Sequence, residues 1–298
     1  MISPPEARPD AERQPATTRD PGHGGRGAHL RSAPARVLRA LPTLFRIGVA
    51  ETLAYRAEFV VWILTTTQPL IMMSLWTSVA RDGAFQQYAS ADLVAYFLAS
   101  LIVRQLTGNW VAWQISEEVR SGAMAMRLLR PIHPFFAYAA SHAAAIPFRS
   151  IIALPVAVIL LAGSGSGALT TDPVRLALVI PSIALAWLIT FALMFAIGAL
   201  AFFLTQTMAI ANLYFGLFSL FSGYLMPLEL LPGPIAAIAA WLPFRFMLSA
   251  PVELMTRAHT RGELADLLGG QLAWTAILLA TALALWRAGV KRFEAVGG

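Results

Sequence analysis

The sequence predicts an all-α, polytopic membrane protein, and three observations carry that prediction. Hydrophobic residues fill 57% of the 298 positions and charged residues 13%, with a mean hydropathy of +0.64, whereas soluble domains carry about one quarter charge. Six apolar stretches are long enough to cross a hydrocarbon layer of about 30 Å at about 1.5 Å of helix rise per residue. Most of the 22 basic residues, all arginine except Lys291, flank those stretches. A membrane surface therefore accounts for the net charge of +6, and no nucleic-acid partner is expected.

The chain divides into a disordered, basic tail at 1–40, rich in Pro, Gly and Arg, and a membrane domain at 41–298. Spans are predicted near 59–79, 93–114, 135–162, 176–204, 208–230 and 268–287. No uninterrupted apolar core precedes Phe59, so a cleavable secretory signal is not expected and the N-terminus is read as cytoplasmic. With both termini inside, fifteen basic residues fall on the cytoplasmic side: nine before the first span, then Arg120, Arg127, Arg130, Arg287, Lys291 and Arg292. Five fall outside, at Arg81, Arg175, Arg245, Arg257 and Arg261. That asymmetry agrees with an even number of spans.

Leu231 to Pro251 is apolar, but it contains Pro232, Pro234, Pro243, Pro251 and Arg245. Proline lacks the backbone donor and clashes with the preceding turn, so an unbroken lipid-facing helix is disfavoured. A re-entrant helical segment at 231–251, between spans five and six, is the expectation, with a broken seventh span as the other reading.

Few residues could carry bond chemistry. The five histidines include no pair at metal-ligand spacing, and there is no cysteine. GSGSGA, 163–168, has the glycine pattern of a dinucleotide loop but ends a span instead of joining a strand to a helix, so it reads as a turn. A phosphate-binding loop needs a lysine after its glycine run, and the sole lysine lies in WRAGVKRFEAVGG near the end. No catalytic, cofactor-binding or metal residue is expected on this chain. If ATP drives it, the nucleotide belongs to a partner.

Such a partner needs a docking surface, and SEEVRSGAMAMRLLR, Ser116 to Arg130, is the candidate coupling helix. On a continuous helix the three- and seven-residue spacings of Glu117, Arg120 and Arg127 bring them near one face, with Met124, Leu128 and Leu129 beside them. An ordinary solvated loop helix that enforces topology is the alternative. Two arginines, Arg104 and Arg149, lie inside spans at similar depth. They read either as a shared cationic ring around an inner vestibule or as side chains snorkelling to the inner headgroups. Gly216, Ser219 and Gly223 place small residues on one face of span five, which permits close helix approach.

Three passages, GAMAMRLLRPIHPFF, SGYLMPLELLPGPIAAIAAWLPFRFMLSAPVEL and the terminal WRAGVKRFEAVGG, resemble the type-2 ATP-binding-cassette (ABC) permeases of bacteria. The resemblance covers 41–298. It implies a bacterial inner-membrane exporter subunit with six spans, a second permease that is identical or paralogous, and a separate cytoplasmic ABC ATPase that binds ATP. It also implies that Glu117, Glu118, Arg120, Gly122, Arg127 and Arg130 lie at the ATPase-coupling interface. Two other classes stay open: an ion-coupled secondary transporter, which would need repeat symmetry and mid-membrane acids, and a membrane-embedded enzyme acting on lipid-linked substrates. For the latter, Glu229 stands without a second carboxylate beside it in sequence.

Overall fold

Long helices dominate the chain because continuous apolar runs in lipid must satisfy their backbone groups internally. The computed structural model describes residues 68–297 other than 82, 166 and 167, together with Pro42, Thr43 and Arg46. The predicted tail and the first half of the first predicted span lie outside the described residues. Among those described there is no strand, only an isolated bridge between Phe85 and Tyr88.

The helices are α1 (Gln68–Val79), α2 (Ser90–Thr107), α3 (Val111–Arg120), α4 (Met124–Leu128), α5 (Pro134–Ala144), α6 (Ile146–Leu160), α7 (Pro173–Ala199), α8 (Thr207–Phe221), α9 (Gly233–Trp241), α10 (Pro243–Met247), α11 (Ser249–Thr256) and α12 (Arg261–Gly297). Their starts are chemically marked. The Asp172 carboxylate accepts from the Val174 N–H at 2.9 Å ahead of Pro173, and His133 Nδ1 accepts from the Phe135 N–H at 3.2 Å ahead of Pro134. Thr260 and Glu263 form a reciprocal cap at the start of α12: the Thr260 N–H donates to Glu263 at 2.7 Å and the Glu263 N–H to the Thr260 hydroxyl at 3.3 Å.

Among the described residues, three helical stretches are long and apolar enough to cross a membrane: Ser90–Arg120, Pro173–Phe202 and Arg261–Phe293. Several boundaries differ from the sequence expectation. The second predicted span does not end at Gln114 but runs on to Arg120, interrupted at 108–110. The third breaks at Ala145, where Pro147 enters the first turn of α6 without a backbone donor, and it ends in a π turn, Leu161–Gly165. The fifth stops at Phe221, because Gly223 takes the left-handed φ of +86°. Gly223 therefore leaves the helix, and its packing partner is the Tyr96 hydroxyl. The small-residue stripe expected from Gly216, Ser219 and Gly223 is not formed. Leu231 to Pro251 falls on the three short helices α9, α10 and α11, the longest nine residues, or about 13 Å of rise.

Helix α7 is the centre of the bundle, in contact with α2, α3, α10, α11 and α12. In lipid the apolar solvent is as good as leucine, so helix association rests on dispersion and shape fit. Aromatic rings supply that fit: Phe195 of α7 lies 5.1 Å from Phe135 of α5 and 4.9 Å from Trp286 of α12. Trp286 in turn meets Phe202 edge-on at 5.3 Å.

Polar contacts collect at the two ends of the bundle. At one end Tyr88 donates to Glu229 at 2.8 Å, Glu229 pairs with Arg257, and Arg175 donates to the Arg257 carbonyl. At the other, Ser116 meets Thr207 at 2.9 Å and His133 lies against Trp286 at 6.3 Å. Successive connections thus alternate between a Tyr88 end and a Ser116 end.

At the Tyr88 end Glu253 is buried, 3% exposed, on α11. It accepts from Arg245 at 3.0 Å and from the Ser249 hydroxyl at 2.8 Å, with His259 at 3.8 Å. Burial pushes its carboxyl up; the His259 ring, Arg245 and Ser249 outweigh that and hold it down at about 2, against an ordinary 4.5. A depressed carboxyl stabilises the fold fully above its unfolded value and loses that contribution as pH falls from about 4.5 towards about 2, a difference of about 3 kcal/mol. Glu253→Gln should therefore melt lower at pH 7 by that order and show a shallower loss of stability between pH 5 and pH 3 than the parent. Parallel acid melting curves for the two proteins in detergent would refute the assignment.

Candidate coupling site at the Ser116 end

The site is built by the connection between α3 and α5. Helix α3 ends at Arg120, where the Ser121 N–H and hydroxyl both donate to the Glu117 carbonyl, at 2.9 and 2.8 Å. Gly122 then adopts φ +79°, a left-handed turn that a side chain would strain. The turn sends the short helix α4 back against α3, with Met124 fully buried beneath it.

That reversal creates a clasp. The Arg127 guanidinium donates through Nε and Nη2 to the two oxygens of Glu118, and Tyr138 of α5 donates to Glu118 Oε2 at 2.6 Å. The Arg127 guanidinium carbon lies 4.3 Å from the centre of the Tyr138 ring. One carboxylate and one guanidinium thus join α3, α4 and α5, a two-pronged, charge-assisted contact with ring stacking.

Beside the clasp a cleft of about 300 Å³ opens between α3 and the connection from α7 to α8. Trp113, Ser116, Glu117 and Arg120 line it from α3, with Gln206 and Met208 opposite. Trp113 is 63% exposed, and Met126 and Leu129 on the neighbouring connection are 70% and 78% exposed. The surface therefore mixes one carboxylate, one guanidinium and unburied apolar side chains, which suits a protein partner better than a small ligand.

The structure separates the sequence-predicted residues into two groups. Glu117 and Arg120 line the cleft, while Gly122 and Arg130 are exposed at and beyond the turn. Glu118 and Arg127 face inward, paired with each other. The expected continuous helix over 116–130, with Arg127 on the face of Glu117 and Arg120, is not formed; the left-handed turn at Gly122 redirects Arg127 onto Glu118. Arg104 lies on α2, remote in sequence from the cleft, and Arg149 falls on α6, its side chain outside the described residues. Sequence reasoning missed Trp113, Tyr138, Gln206 and Met208. The polar triplet Thr205, Gln206 and Thr207 between two apolar runs was the available signal for the last two.

A family model described as ABC-2 family transporter protein matches residues 63–297. The chain belongs to that family. No curated protein matches it significantly. As an ABC-2 permease it is a multi-pass membrane protein and a transport subunit of an ABC transporter, and its family implies association with an ABC ATPase. The cleft and clasp of this permease are thus read against a need for contact with a motor subunit.

The clasp makes a direct prediction. In a double-mutant cycle of Glu118→Gln and Arg127→Met, unfolding in detergent should give a coupling energy of about 2 kcal/mol, as for a hydrogen-bonded ion pair shielded from water. Additive single-mutant effects would show that the pair contributes nothing.

Proposed function

We propose that this ABC-2 permease is the membrane subunit of a bacterial inner-membrane exporter, paired with a second permease copy or paralogue to form the pathway and driven by a separate cytoplasmic ATPase. In this reading the Ser116 end faces the cytoplasm and the ATPase inserts into the cleft between α3 and the α7–α8 connection. ATP closure of the motor pulls on α3, and the clasp of Glu118, Arg127 and Tyr138 passes that displacement to α5. The permease contributes a path and a lever but no bond chemistry.

The observation that carries the reading is the open cleft holding Glu117 and Arg120 beside exposed Trp113, on the end of the bundle where Arg120, Arg130, Arg287, Lys291 and Arg292 also lie. Basic residues mark the cytoplasmic side, which supports the orientation. The alternation of connections supports an arrangement of six spans with both termini inside, and the shortness of α9 to α11 favours re-entry at 231–251 over a crossing.

Two experiments test this. In proteoliposomes containing the copurified ATPase, Glu117→Arg with Arg120→Glu should lower complex recovery and ATP hydrolysis at least fivefold while leaving the melting temperature of the permease unchanged; values within twofold of the parent would sink the docking assignment. The chain has no native cysteine, so Trp241→Cys offers a clean topology probe. Trp241 is 82% exposed, and a membrane-impermeant maleimide should label it from the periplasmic side alone. Labelling from the cytoplasmic side would overturn re-entry.

A further inference from the structure

Arg104 occupies a position that neither the coupling site nor topology explains. The stretch Ser90–Arg120 is 31 residues long. Arg104 lies fourteen residues from its start along the continuous helix α2, about 21 Å of helix rise. Half of the hydrocarbon thickness is only about 15 Å. A second ruler agrees. Ser116 and Thr207 touch at 2.9 Å, which sets α3 and α8 at a common level; Phe218, the ring beside Arg104, lies eleven residues up the continuous helix α8 from there, about 17 Å.

The Arg104 guanidinium carbon lies 5.1 Å from the centre of the Phe218 ring and 5.9 Å from that of Tyr224. The charge therefore stays at the depth of its own backbone, packed on span five, instead of reaching for a headgroup layer. Snorkelling is not what places it. The local backbone is adapted to it: α2 ends one turn away at Gly108, where an added Cβ would come within 3.2 Å of Arg104 Nη1. Gln105 and Asn109, both buried, each carry a side-chain nitrogen with no hydrogen-bond partner among the described residues.

Charge balance distinguishes Arg104 from its counterparts. Arg127, Arg175, Arg245 and Arg257 each have a carboxylate partner. Arg104 has none among the described residues, and two aromatic faces soften but do not neutralise a guanidinium in apolar surroundings. A charge at the bilayer centre costs at least about 3 kcal/mol, so an unbalanced one marks a place where an anion arrives. The side chain is only partly covered, and Leu213, Leu217 and Leu220 of α8 are exposed nearby along the same helix. We propose that Arg104 is the headgroup-recognition point of the pathway and that the cargo is an amphipathic anion: an apolar body carrying a phosphate, sulfate or carboxylate group. A guanidinium fork suits the paired oxygens of such groups. This rests on the transport reading above for the word cargo; the binding itself does not.

The test has two arms. In the first, the purified permease in phosphatidylcholine nanodiscs is titrated with dodecyl phosphate, dodecyl maltoside and dodecyltrimethylammonium, read by tryptophan fluorescence. The parent should prefer the phosphate at least tenfold. Arg104→Gln should abolish that preference with little change for the maltoside, Arg104→Lys, which keeps the charge but not the fork, should reduce it several-fold without abolishing it, and Gly108→Ala, which crowds the guanidinium without removing it, should weaken phosphate binding several-fold. Equal affinity of the parent for the three headgroups, or an equal loss for all three in Arg104→Gln, overturns the proposal. In the second arm, permease and ATPase in phosphatidylcholine vesicles are exposed to dodecyl phosphate, which should stimulate ATP hydrolysis in the parent and not in Arg104→Gln. Binding without stimulation in a functional complex would identify a resident lipid and overturn the cargo assignment. Failure to recover any ATPase complex would instead count against the transport reading, with the first arm still deciding headgroup recognition.

Discussion

The ion pair between Glu229 and Arg257 is the contact on which the Tyr88 end of the bundle depends. Glu229 follows span five, Arg257 precedes the last helix, Tyr88 belongs to the connection before α2, and Arg175 begins α7. These residues are far apart in sequence, yet one carboxylate and one arginine carbonyl collect all of them. The short helices α9 to α11 are held between these contacts and the Glu253 cluster. Without them, three pieces of five to nine residues would lack the length to be stable alone, since isolated helices of that size are marginal.

The two ends solve the charge problem differently. At the Tyr88 end Arg175, Arg245 and Arg257 are neutralised within the chain, by Asp172, Glu253 and Glu229, while Arg81 and Arg261 are exposed. At the Ser116 end only Arg127 has a carboxylate partner among the described residues, and Arg120, Arg130, Arg287, Lys291 and Arg292 remain exposed. A largely internally paired end and an open basic surface at the other is a sensible division for a protein that must engage a partner on one side alone. Arg104 is the exception in the middle, and its unbalanced charge is what ties the apolar helices to a specific kind of ligand.

The helical class and the permease family were legible in the sequence because both depend on long apolar runs and on where arginines and prolines fall. The interruptions were less legible. Hydropathy does not register the break at 108–110, since a glycine and an asparagine hardly lower the average of a long window. The reversal at Gly122 was signalled by the glycine itself, but the spacing argument for Glu117, Arg120 and Arg127 assumed a continuous helix and so placed Arg127 on their face instead of against Glu118. Two of the six coupling residues line the cleft, two form the internal clasp and two are exposed nearby, a division set by a single φ angle. The Tyr88 to Glu229 contact joins residues 141 apart, and no local pattern encodes it. Glu253 was closer to readable: an acid in an apolar segment, with Arg245 and His259 within eight residues, needs partners.

Helix α12 runs 37 residues without a proline, about 55 Å of continuous rod, well beyond the thickness of the hydrocarbon layer. Its first turn is locked by Thr260 and Glu263 next to Arg257, and its far half packs through Trp286 on Phe195 and Phe202. Its one glycine pair, Gly269 and Gly270, lies against Phe246 of α10, where a Cβ on Gly270 would come within 2.5 Å of the ring. One helix thus joins the packing around Trp286 at the Ser116 end to the residues beside Arg257 at the Tyr88 end, a lever arm that reaches both.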